Sequence, residues 1–138
     1  MNLLEASQKY FAADNFVRAC GIEITECREG YARCEVKIAP MHINGANTAQ
    51  GGLLYTIADF TGAVAGFSLG RVVLTINADI SYFKSCNTGT IIAEATVLSA
   101  TNKLCTCNVD VHNDAGERLA TAKVGLYRTN QEIEGLFK

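Results

Sequence analysis

Apolar and polar positions follow two different periods along this chain. Residues 2–19 carry Leu3, Leu4, Ser7, Tyr10, Phe11 and Phe16 at helical spacing, which predicts one or two short helices ending at Gly21. The period then drops to two. Ile22 and Ile24 alternate with Glu23 and Thr25, and Ala32, Cys34, Val36 and Ile38 alternate with Arg33, Glu35 and Lys37. Two strands with one wet face follow, joined at Arg28-Glu29-Gly30 and stopped by Pro40, the only proline.

The stretch HINGANTAQGGLLYTIADFTGAVAGFSLG, from His42 to Gly70, breaks that alternation. Its first part is a polar, Gly-rich loop and its second is apolar nearly throughout. A helix is expected from Gly51-Gly52 to Leu69, with Thr48 as N-cap and Gly70 at C′. Such a helix of roughly 19 residues spans about 28 Å. Asp59 at its middle, its glycines and hydroxyls, and the flanking strands argue for a buried helix in a core, not a membrane span. Small residues (Gly62, Ala63, Ala65, Gly66) let a sheet come close to it.

Four more strands are expected. Val72, Leu74, Ile76, Ala78, Ile80 and Tyr82 alternate with Val73, Thr75, Asn77, Asp79 and Ser81. TIIAEATVLSA follows the Asn87-Thr88-Gly89 turn. In KLCTCNVDVHN, Cys105, Cys107, Val109 and Val111 share one face, and Asp114-Ala115-Gly116 leads into ERLATAKVGLYRT. The fold class is therefore α+β, a curved antiparallel sheet around one apolar helix, in a single domain over 1–138. Residues 1–19 form a helical cap, and residues 131–138 a polar tail that frays.

Composition narrows the function. The chain has 138 residues, 49% of them hydrophobic and 19% charged, enough for a buried core. A net charge of -2 and scattered Lys and Arg exclude a nucleic-acid surface. No signal peptide is read at the N-terminus. The six cysteines form no CxxC pair, and two histidines are too few to complete a metal site, so free thiols and a cytoplasmic setting are expected. His42 and His112 are read as surface residues. The improbable residue is Asp59. A lone acid in an apolar helix costs stability unless it is paired, hydrogen-bonded or protonated, so its retention points to chemistry.

The residues N-G-x-x-T-A-Q-G-G-x-L-x-x-x-A-D, within the order helix, two strands, long helix, four strands, resemble the hotdog fold. More narrowly, they resemble the acyl-CoA thioesterases of the phenylacetic-acid-pathway, PaaI-like group. Asn44, Gly45, Gly51, Gly52 and Asp59 fall on that family's motif, with Gln50 where His is usual. A Pro common after the helix-following strand is also missing from YFKSCN.

The resemblance implies hydrolysis of an acyl- or aryl-CoA thioester in a homodimer or homotetramer, with no metal and no cofactor, coenzyme A being part of the substrate. Dimerisation would pair VVLTINADI with its copy. Helix-terminal N–H groups lack intrahelical partners and carry the positive dipole end. Gly51 N–H, with Gly52 N–H, is therefore the expected oxyanion donor, assisted by Gln50. Asp59, about 12 Å further along the helix, would serve the partner copy's thioester as base or nucleophile. Asn44 would orient water or the leaving thiol, and Thr75 would hold the water. Tyr55 and Phe60 are candidates for the acyl pocket, and Lys84 and Arg71 for the coenzyme A phosphates. Gln50 carries no proton charge, which opens a second reading: a module that binds acyl-CoA without turning it over.

Overall fold

The computed structural model describes residues 1–137. Two short helices open the chain. α1 (Leu3–Phe11) is capped by the Asn2 side chain on Glu5 N–H, and α2 (Asn15–Cys20) by Asp14 on Val17 N–H. Gly21 ends α2 in the left-handed region, φ 82°, a conformation that glycine adopts without penalty. β1 (Glu23–Arg28) and β2 (Tyr31–Lys37) form a hairpin, and a 3-10 turn (Pro40–His42) leads to the loop before α3 (Gly51–Phe67). β3 (Arg71–Tyr82), β4 (Thr90–Ala100), β5 (Leu104–Asn113) and β6 (Arg118–Glu132) complete one six-stranded sheet in the order β1-β2-β4-β5-β6-β3. Every pairing is antiparallel.

The sheet curves around α3, the arrangement expected from the apolar run. Leu53, Leu54, Ile57 and Val64 are buried in the core between them, while Phe60 and Phe67 are buried with their rings against Phe11 of α1. Each such side chain contributes about 1.5–3 kcal/mol on full burial. Glycines set how closely the helix sits. A Cβ on Gly66 would stand 2.5 Å from Leu126 Cδ1, and one on Gly62 would stand 3.1 Å from Val124 Cβ. No described helix is long and apolar enough to cross a membrane.

Four expectations need correction here. The α3 N-cap is Gln50, not Thr48, and the helix closes at Ser68, which places Gly70 one position beyond C′ with φ 111°. β3 does not keep one alternation: Leu74 and Ile76, placed on the same side as Val72, Ala78 and Ile80, are 61% and 60% exposed, whereas Val72 is buried. The register shifts between Thr75 and Asn77, a bulge that swaps the faces of the strand. Residues 131–137, expected as a frayed tail, extend β6 to Glu132 and then form a 3-10 turn, with Ile133 N–H bonded to Gly70 O at 2.9 Å.

The two outer strands differ. α1 lies against β1, and Gln8 Nε2 donates to Ile24 O at 3.0 Å. β3 pairs with β6 on one side and with no strand on the other. All six cysteines are free and five are buried, Cys86 being the half-buried exception. Burial pushes the Cys34 thiol up to about 12 and raises Cys27 as well.

Two tests follow from this packing. Gly66→Val, forced against Leu126, lowers the unfolding free energy in urea by about 1–3 kcal/mol. Ellman's reagent titrates at most Cys86 in the native chain and all six thiols after unfolding.

Candidate active site

The loop before α3 is built from side-chain bonds to backbone. Asn44 Oδ1 accepts from Ala46 N (2.9 Å), Thr48 N (3.1 Å) and Thr48 Oγ1 (3.2 Å). That oxygen is thus committed to shaping the loop. His42, expected on the surface, is 4% exposed. Its Nδ1 accepts from Ala39 N at 2.9 Å, so Nε2 carries the proton and donates to Cys20 O at 2.8 Å. The His42 carbonyl accepts from Gln50 N at 2.8 Å. His42 therefore links the end of α2 and the exit of β2 through its ring and the start of α3 through its carbonyl.

At the helix entrance Gln50 Oε1 accepts from Gly52 N at 2.8 Å. Gly52 N–H is thereby occupied, while Gly51 N–H has no hydrogen bond among the described residues. Tyr82, which the sequence placed only as an apolar strand position, covers this entrance. Its hydroxyl donates to Gly51 O at 2.9 Å, and its ring lies 3.4 Å from where a Gly51 Cβ would stand. Burial, and then the nearby Tyr55 phenol, raises the Tyr82 pKa and keeps that hydroxyl a donor.

Asp59 lies on the one stripe of α3 that the sheet leaves open: Gly52, Tyr55, Thr56, Asp59 and Ala63. Thr75 Oγ1 donates to Asp59 Oδ1 at 2.7 Å. The other carboxylate oxygen has no hydrogen bond among the described residues. Both residues line a groove of about 640 Å³ between α1, α2, α3 and β3, with Tyr55 and Phe60 in its wall. Phe16, Tyr55 and Thr56 also line a second groove, about 450 Å³, that reaches Gln50 and Gly52. A trough thus follows the open stripe from the helix entrance to the carboxylate.

The two expected phosphate cations behave differently. Lys84 borders the cleft formed with Gly51 and Tyr82 and is ion-paired with Glu117. Arg71 starts β3 just beyond the C-terminal end of α3, and its Nη2 donates to Asn102 O at 2.5 Å. It stands a helix length from Gly51, about 25 Å. His112 pairs with Glu94 on the sheet, Nε2 to Oε1 2.9 Å, away from the trough. The described residues hold no group of three or more His, Cys, Asp or Glu placed to bind a metal.

The family model described as "Thioesterase superfamily" matches residues 46–120, a span that contains the helix entrance, Asp59 and Thr75. The chain belongs to the thioesterase superfamily. An Archaeoglobus fulgidus protein named as a candidate esterase is 34% identical over 121 residues, 87% of this chain and 79% of that protein. Among solved structures, the Escherichia coli PaaI protein from the phenylacetic acid degradation operon superposes with a TM-score of 0.85 at 21% identity. The match covers 95% of this chain and 99% of that one. A Streptococcus pneumoniae protein described as a hypothetical thioesterase, solved with coenzyme A, gives 0.83 at 25% identity, over 90% and 98%. The fold is the hotdog fold, and this member of the thioesterase superfamily is a thioester hydrolase.

Gln50 caps the thioesterase helix as well as bordering the trough. Gln50→Ala lowers stability in urea by about 1 kcal/mol, and Gln50→Ser restores most of it, because Ser also caps.

Proposed function

We propose that this protein hydrolyses an acyl- or aryl-CoA thioester to free acid and coenzyme A, with Asp59 as base or nucleophile. The observation that carries the reading is the Thr75–Asp59 bond. It orients one carboxylate oxygen of a half-buried acid at the edge of a groove and leaves the other oxygen unpaired. The coenzyme A bound to the Streptococcus pneumoniae relative supports that leaving group.

The oxyanion donor is Gly51 N–H, with Gln50 assisting. It belongs to the partner copy, because Gly51 and Asp59 of one chain are separated by about 12 Å of helix. The bare edge of β3 supports a homodimer in which two copies pair along that strand. Packing of dimers into a tetramer is compatible with the exposed Leu74, Leu104 and Tyr127, which are cross-strand neighbours.

As a base, Asp59 takes a proton from water, whose oxygen attacks the thioester carbonyl. The carbon–sulfur bond then breaks, and the departing thiolate takes up a proton. As a nucleophile, Asp59 displaces that thiolate and forms an anhydride, which water hydrolyses. A single turnover in heavy-oxygen water labels Asp59 only by the second route. Asn44 holds the loop that orients the leaving thiol, and Lys84 borders the side where its phosphates pass. No cofactor beyond the substrate is invoked. The buried thiols suit a reducing, cytoplasmic setting.

The release of free thiol from a panel of acyl-CoAs tests the reading directly. Asp59→Asn lowers kcat by a large factor with KM nearly unchanged; turnover equal to wild type would overturn the assignment. Gln50→His preserves or raises activity. Gly51→Pro removes the proposed donor and sets its ring beside Tyr82, which lies 3.4 Å from a Cβ at that position, an ordinary contact distance. Proline is suited to this first helical position, and Gln50 already has the extended backbone (φ -57°, ψ 132°) that precedes proline. The variant stays folded and loses about 10²–10³ in kcat. Mixing it with Asp59→Asn restores turnover in mixed dimers, and no restoration would mean that each site is built from one chain.

A further inference from the structure

The Asp59 groove does not end at solvent on its inner side. Phe11, Val17 and Phe60 line both it and a separate groove of about 450 Å³ beside β1. The Phe11 and Phe60 rings meet edge to face, with centroids 5.2 Å apart and planes at 82°. Phe11 is further braced by Phe67 at 5.2 Å and by Tyr10 at 4.9 Å, so an aromatic cluster backs the wall. Phe60 and Val17 are each 5% exposed, which leaves the wall little freedom to swing. The far groove has a polar rim of Gln8, Arg18 and Glu23.

We propose that the Phe11–Phe60 pair, closed by Val17, is the end-stop that sets how long an acyl chain this enzyme accepts. The inference rests on the reading that Asp59 attacks, or activates water against, an acyl thioester. A carbonyl at Asp59 places the apolar remainder of the acyl group in the same groove, where Ala63, Val73, Phe60 and Phe11 supply apolar surface. A chain that fills the groove meets the two rings, and a longer one must displace packed aromatics. Truncating Phe11 joins the two cavities without touching Asp59 or Thr75. Phe11 is thus a specificity-determining residue supplied by the N-terminal helices, outside the span that the family model matches.

The test compares kcat/KM for hexanoyl- and dodecanoyl-CoA in wild type, Phe11→Ala and the milder Phe11→Leu. Each methylene seated in an apolar pocket is worth about tenfold in kcat/KM. The dodecanoyl-to-hexanoyl ratio therefore rises at least about tenfold in Phe11→Ala, and less in Phe11→Leu. An equal loss for both substrates in the two variants would overturn the end-stop, because a purely structural Phe11 lowers both alike. The S-hexyl and S-dodecyl thioethers of coenzyme A, which cannot be hydrolysed, give a second readout as shifts of Tm. The longer thioether stabilises Phe11→Leu more than wild type, and identical shifts would also overturn the proposal. If wild type cleaves no thioester yet the thioethers still shift Tm in this pattern, the hydrolase reading fails while the end-stop stands.

Discussion

The seating of α3 in the curved sheet is the contact on which everything else depends. Gly62 and Gly66 bring the helix backbone to within a methyl group of Val124 and Leu126, so α3 has little room to slide or roll. A helix fixed in this way has fixed ends and fixed faces. Its N-terminal N–H groups and Asp59 are then placed by the core, and the loop and strand around them need only supply partners. Burial drives this seating, because nearly every face of the helix is apolar. The one stripe left uncovered carries the acid.

Polar contacts do the remaining positioning. Asn44 gathers the loop around a single side-chain oxygen, and His42 sits beneath it with both ring nitrogens engaged. Buried polar groups of this kind are costly when unpaired and specifying when paired. Gln50 therefore starts the helix from a backbone already held through the His42 carbonyl. Its side chain takes Gly52 N–H and leaves Gly51 N–H as the open donor, so the residue in place of the usual His also decides which amide is free.

The sequence was readable where one physical effect dominated. Asp59 stood out because nothing in an apolar helix explains a carboxylate, and the long helix stood out because no strand pattern fits its run. Cys105, Cys107, Val109 and Val111 share the inner face of β5, as period two requires. Legibility failed where the deciding hydrogen-bond partner leaves no trace in the local pattern. His42 reads as a loop histidine until Cys20 O and Ala39 N–H close on it. Arg71 and Lys84 read as free cations until Asn102 O and Glu117 take them up. Gln50 is not a usual cap, so Thr48 looked better on preference alone. Phe11 and Phe16 gave a helical rhythm but no sign that they would border the groove.

β3 explains why the site and the strand pattern disagree. Before the bulge its odd residues face α3: Val73 lies 3.5 Å from a Cβ on Gly66, and Thr75 reaches Asp59. After it the even residues do: Ala78 and Ile80 pack on the core, and Tyr82 reaches Gly51. A strand without the extra residue presents either Thr75 or Tyr82 to the helix, never both, because successive side chains point to opposite faces. The insertion lets one strand run the length of α3, touching it near its end, at its acid and at its entrance. It also turns Leu74 and Ile76 outward on the strand whose outer edge pairs with no other strand. The irregularity that hides β3 from a period-two reading is therefore what couples the acid, the open amide and the exposed edge in a single element.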